Sequence, residues 1–206
     1  MQTIISPLQP LISFFKQYGN ISDGFIKKLE QECSFVTVRK NKHILSPIDS
    51  NAALYFVTSG IVRGFIKDEG KDITTWFSFG NEIIGAIRHP HENPGHSVEY
   101  LHALEECELI RIPYTLIDFL YTTFPETNLI GRKLLALQYH EASERSILAR
   151  IPTAGGRYER LQKNMNHNLN SIPLRYLASF LGMRVETLSR IRTKSHMNDK
   201  QKLSHA

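Results

Sequence analysis

The run Leu177-Ala178-Ser179-Phe180-Leu181-Gly182-Met183-Arg184-Val185-Glu186-Thr187-Leu188-Ser189-Arg190-Ile191 constrains this chain more than any other window. Leu177, Leu181, Leu188 and Ile191 fall where two short helices would both turn inward, and Ala178 is small enough for the second helix to cross close above it. Gly182 permits the sharp turn between them. Such spacing is a helix-turn-helix signature. On its second helix Glu186, Thr187, Ser189 and Arg190 carry donors and acceptors of the kind that read base edges in a major groove.

The charge distribution points the same way. The chain has 206 residues, 41% of them hydrophobic, enough for a sizeable core and one further small domain. Its net charge is +5, but residues 1–149 hold 14 basic against 17 acidic residues while residues 150–206 hold 11 against 3. A basic module on a mildly acidic body suits phosphate binding, because Lys and Arg displace condensed counterions from nucleic acid. A merely solvated basic face would show the same charges, and the coincidence with the helix-turn-helix spacing decides for double-stranded DNA as the partner.

Cys33 and Cys107 stand far apart and in no metal-ligand spacing, so neither a disulfide framework nor an iron-sulfur cluster is expected. The opening residues lack a basic, then apolar, export signal. No stretch is apolar for the roughly 18 residues of a membrane span. A cytoplasmic protein without membrane contact is the expectation.

Along the chain, helical spacing appears at Leu11, Ile12, Phe14 and Phe15, and again at Phe25, Ile26 and Leu29 behind a Ser22-Asp23 start. From Ser34 β-rich runs take over: 35–38, 53–58, 61–67, 73–79, and 98–112 with a break, with Glu69-Gly70 as a hairpin turn. Short strands separated by turns predict a sandwich or barrel. Helical spacing returns at Leu116, Ile117, Phe119 and Leu120, and then from Pro125 to Ile151. There Leu129, Ile130, Leu134, Leu137, Ile147 and Leu148 form a stripe that can pack on the body, on a second copy, or on both. Thr153-Ala154-Gly155-Gly156 reads as a hinge and domain boundary. A helix from Arg157 to Met165 and an Asn-rich turn follow, with Ser171 placed to cap the helix opened by Pro173. Residues 197–206 are polar enough for disorder.

This order of parts resembles the cyclic-AMP receptor protein and fumarate-nitrate regulator (Crp/Fnr) family of bacterial transcription factors. The likeness rests on Glu186-Thr187-Leu188-Ser189-Arg190-Ile191 and on three pieces of the family's cyclic-nucleotide-binding roll, 54–60, 65–71 and 79–85. Gly156-Arg157-Tyr158-Glu159-Arg160-Leu161 is similar to the linker helix of short Bacteroidetes-type members. The resemblance implies an α+β fold. A cyclic-nucleotide-binding-like β-roll (a double-stranded β-helix) occupies 1–124, a dimerisation helix 125–152 and a helix-turn-helix domain 153–206. It also implies a homodimer with two recognition helices one DNA turn apart, Arg190 on guanine O6 and N7, and Glu186 on a cytosine amino group.

The sequence departs from the family at both ends of this machine. Members that bind cyclic AMP use Gly-Glu for the ribose and Arg-Ser or Arg-Thr for the phosphate. Here Gly85 precedes an alanine, no arginine stands at the phosphate place, where Ser97 falls, and Glu99 close by repels an anion. Cyclic AMP is therefore not expected in the usual way, and no cofactor is assigned. Ile84, Gly85, His96, Ser97 and Val98 remain the candidate pocket for an unknown small-molecule effector.

In the reading head Arg184 replaces the usual capping Ser or Thr and is free to contact a phosphate, and Val185 offers an apolar touch such as a thymine methyl. About a dozen residues follow Thr193, too few for the family's β-wing, with Arg192, Lys194, Lys200 and Lys202 as compensating charges.

The reading is a dimeric, sequence-specific transcription regulator, not an enzyme, with RNA polymerase an open partner. Two alternatives stay open. His89, His91, His96 and His102 suggest a cupin-like metal enzyme, against which further ligands at cupin spacing are missing. A sensor module that has lost DNA binding would explain the absent wing and cap.

Overall fold

The computed structural model describes residues 7–87, 95–164 and 169–203, the last nine of these as helical backbone. Helices α1 (Gln9–Tyr18) and α2 (Asp23–Glu32) come first, and the Ser22 hydroxyl accepts from the Phe25 amide to cap α2. Eight strands follow: β1 (Ser34–Val38), β2 (His43–Leu45), β3 (Ala53–Ser59), β4 (Ile61–Asp68), β5 (Lys71–Phe79), β6 (Glu82–Ile84), β7 (Tyr100–Ala103) and β8 (Cys107–Pro113). They form two antiparallel four-stranded sheets, ordered β1-β8-β3-β6 and β2-β7-β4-β5. Between β4 and β5, Glu69 (φ 47°) and Gly70 (φ 76°) both take left-handed geometry, as a two-residue hairpin with the strands' own twist requires.

Alternation along the strands sorts the core. Tyr55, Val57 and Leu109 turn inward between the sheets with Val62, Leu101 and Cys107, whereas Phe56 and Ile110 turn outward to meet α1 and α2. Phe25 (1% exposed), Leu29 (0%) and Phe56 (0%) anchor that outer layer, each contributing about 2–3 kcal/mol by leaving water. Helix α3 (Tyr114–Thr123) and the start of α4 (Glu126–Arg150) close it through Leu116, Leu120 and Ile130.

The apolar stripe of α4 is divided. Ile130 and Leu148 are buried within the chain, and Leu134 packs against the N-terminal cluster. Leu129, Leu135, Leu137, Tyr139 and Ile147 stay exposed.

Beyond α4 lie α5 (Ala154–Asn164), a 3-10 turn at Leu169–Ser171, α6 (Leu174–Phe180) and α7 (Val185–Leu203). Three local expectations are corrected here. The break after α4 falls at Ile151-Pro152-Thr153, and Gly155-Gly156 lie inside the first turn of α5, where the Thr153 hydroxyl accepts from the Gly156 amide at 3.1 Å. Helix α6 is capped by the carbonyl of Pro173, which accepts from the Tyr176 and Leu177 amides; Ser171 belongs to the preceding 3-10 turn. Residues 197–203 continue α7 as helix, since nothing in their sequence stops it. The Asn-rich turn lies partly outside the described residues, and no strand follows α7 among them.

The helical C-terminal part shares one core with the roll. Ile61, Phe79 and Leu104 pack with Leu148, Tyr158, Leu161, Leu177, Ala178, Leu181 and Leu188.

Candidate nucleic-acid interface

Helix α6 ends in a closed turn. The Met183 amide donates to the Ala178 carbonyl at 3.0 Å and the Gly182 amide to the Ser179 carbonyl at 3.1 Å, with Gly182 at φ 59°. This pair of bonds needs a left-handed residue at its centre, which glycine adopts without strain. The Arg184 carbonyl then receives the Thr187 and Leu188 amides, both at 3.1 Å, and starts α7.

Leu188 (0% exposed) pins α7 to α6, and Ile191 packs beside it. Helical geometry then turns Glu186, Ser189 and Arg190 to solvent, together with Arg184, Val185 and Lys194, while Thr187 and Arg192 are half-buried at the edge of the face.

Arg157 is a positioning residue that sequence reasoning left inside a linker motif. It donates to the Leu181 carbonyl at 2.7 Å, Gly182 at 3.3 Å, Ile151 at 2.8 Å and Pro152 at 3.3 Å. One planar guanidinium thereby joins the end of α4 to the turn before α7. Arg160 adds a two-pronged contact to Glu144 on α4, at 2.8 and 3.0 Å.

The head is also docked on the roll. Ser179 Oγ accepts from the Thr74 amide at 3.0 Å and donates to the Asp72 carbonyl at 2.9 Å, and Phe77 meets Phe180 edge-on at 5.4 Å. Beneath them Arg63, 1% exposed, donates to Thr74 Oγ1 at 2.8 Å and Asp72 Oδ2 at 3.2 Å. Its guanidinium lies between the Phe65 and Tyr176 rings, 4.2 and 4.0 Å from their centroids. His102 packs against Tyr176 in the same cluster. Burial, with His43 and Arg63 nearby, pushes its imidazole down to about 4.

In the roll, Ile84 and Gly85 line a cavity of about 740 Å³ between the sheets and α4. His96 and Val98 are exposed, and buried Ser97 uses its hydroxyl to accept from the Glu99 amide at 3.1 Å. Glu99 itself, 0% exposed, receives Thr75 Oγ1 (2.7 Å), Trp76 Nε1 (2.9 Å) and the Ile87 amide (3.1 Å). Trp76 can lie over β4 because residue 64 is glycine, where any Cβ would run into the indole. Burial pushes the Glu99 carboxyl up, and the three donors together with Arg145 pull it back. His89 and His91 lie outside the described residues, and no group of three metal-ligating side chains occurs among those described. No described helix is long and apolar enough to cross a membrane.

The architecture is a double-sheet roll closed by a long helix and followed by an outward-facing helix-turn-helix. No family model matches the chain. It is 22% identical over 174 residues to the transcriptional activator protein Anr of Pseudomonas protegens, covering 79% of this chain and 70% of that protein. FixK2 from Bradyrhizobium japonicum superimposes with a TM-score of 0.68 at 18% identity, covering 81% of this chain and 86% of that one. A putative Crp/Fnr-family transcriptional regulator from Eubacterium rectale gives 0.66 at 16% identity, covering 90% and 88%. The chain is thus similar in sequence to a transcriptional activator and shares its fold with a putative Crp/Fnr-family regulator.

Proposed function

We propose that the chain is a sequence-specific, DNA-binding transcription regulator that works as a cytoplasmic homodimer, by binding rather than catalysis. The observation that carries this is the outer face of α7: Glu186, Ser189 and Arg190 are held out by the closed turn and buried Leu188, in the basic quarter of the chain. Arg190 would donate twice to guanine and Glu186 accept from cytosine, with Val185 against a thymine methyl. Arg184, Arg192 and Lys194 would take phosphates. Thr187 and Ser189 complete the contact set.

The exposed half of the α4 stripe supports pairing with a second copy, which would set two reading heads about 34 Å apart on a near-palindrome. The roll would bias that spacing through an effector or partner protein, and RNA polymerase would be contacted at the promoter.

Selection of duplexes from a random DNA pool, without ligand, tests this. The expected result is a palindromic motif whose affinity falls steeply with salt. A pool with no enriched sequence, with or without effector candidates, overturns sequence reading and leaves the roll as a sensor or interaction module.

A further inference from the structure

The cavity between the roll and α4, about 740 Å³, is the size of a site for a drug-sized ligand. Its walls are mainly apolar, with Phe77, Ile83 and Ile84 from the roll and Leu134 and Leu137 from α4. Its charged lining residues are Glu82, Glu99, Glu141 and Arg145, three carboxyls against one guanidinium among the described residues.

A cavity that takes an anion needs inward-pointing N–H and O–H groups free to donate. Here the Thr75 hydroxyl, the Trp76 indole and the Ile87 amide all end on the Glu99 carboxylate. The chain has supplied its own anion, covalently held and 0% exposed. A second anion would lose its hydration, find these donors taken, and face like charge where screening is weak. A head that donates meets the opposite situation. Glu141, half-buried and lining the same cavity, offers carboxylate oxygens to such a head, whereas Glu99 spends its own on the three internal donors.

We infer that this cavity takes a small, largely apolar ligand whose head is uncharged or cationic and donates hydrogen bonds, and that Glu99 excludes phosphates and carboxylates by occupying the roll's anion donors. The inference rests on reading the roll as the sensor half of a DNA-binding regulator.

Trp76 is the chain's one tryptophan and bonds Glu99 directly, so its emission reports on this site. The full chain is titrated with 4-phenylbutylamine, 4-phenylbutanol and 4-phenylbutyrate, which share one body and differ in the head, and with cyclic AMP. The amine and the alcohol are expected to shift the emission saturably, with butyrate and cyclic AMP at least about tenfold weaker. Equal or tighter binding of butyrate or cyclic AMP overturns the inference, as does an emission unchanged by every probe at millimolar concentration.

Glu99→Gln keeps the size and removes the charge, and should bring butyrate close to the amine. If a folded Glu99→Gln protein still excludes butyrate as wild type does, Glu99 is not the excluding group. Should that variant not fold, the wild-type ranking decides alone. Duplex binding is measured in parallel: probes bound as ranked with no duplex selectivity unseats the regulator reading only, and duplex selectivity with the wrong ranking unseats only this one.

Discussion

The floor of the roll and the face of the reading head use the same residue types to opposite ends. In the roll, Arg63 and Glu99 are 1% and 0% exposed and end on Asp72, Thr74, Thr75, Trp76 and the Ile87 amide. In the head, Arg184, Glu186, Arg190 and Lys194 stand in water, and Arg190 bonds the Glu186 carbonyl at 3.4 Å along its own helix. A charge whose partners are internal holds the fold, and its loss strands buried groups. A charge turned to solvent adds little to stability and is available to another molecule.

Substitutions should therefore separate the two regions. Glu99→Ala leaves three part-buried donors without their acceptor and should cost about 3 kcal/mol or more in urea unfolding, about 1 kcal/mol or more for each donor, with duplex selectivity unchanged in whatever remains folded. If selectivity shifts as well, the roll floor and the head are not independent.

Acid should act next, and only on the roll. His102 is held neutral with its pKa near 4 against an ordinary value of about 6.5, so the unfolded chain takes up the proton first. Stability from this residue is present at pH 7 and is lost as pH falls from about 6.5 towards 4, by up to about 3 kcal/mol. His102→Phe should flatten that part of the pH profile, and an unaltered profile would place the acid sensitivity elsewhere.

Arg190→Ala should reverse the pattern, costing about 1–3 kcal/mol on a selected duplex and relaxing preference at one base pair. Its unfolding midpoint should stay within about 0.5 kcal/mol of wild type. The smallest effect belongs to Lys194→Ala, which should lower the salt slope by about 1 and weaken all duplexes alike. A sequence-dependent loss there would move Lys194 from phosphate to base contact.

Much of this division was legible in the residues. Leu177, Leu181 and Leu188 announced the head because 3.6-residue spacing registers even where one helix, α6, is only two turns long, and all three are buried. Glu69-Gly70 announced its turn because only a few residues accept left-handed geometry. Strands β2 and β6, three residues each, are too short for a two-residue period to register, and their places come from pairing with β7 and β3.

Of the five candidate pocket residues, His96, Ser97 and Val98 do not line the cavity. Ile84 and Gly85 line the cavity, but the bonds made by Glu99 join residues up to 24 positions apart, and no local pattern encodes them. Arg157 was hidden for the same reason, since two of its carbonyl partners, Leu181 and Gly182, lie 24 and 25 positions away.

Among the described residues strand β5 pairs with β4 alone and ends its sheet, so one flank of nine residues carries main-chain groups that a stray strand could capture. Helix α6 stands on that flank, and Ser179 claims one amide and one carbonyl of it with a single hydroxyl. The helix-turn-helix module is thus also the guard of the sheet beside it. Cutting the chain after α4 would not liberate a tidy sensor: it would bare an adhesive border, and the fragment would be prone to stack with its own copies.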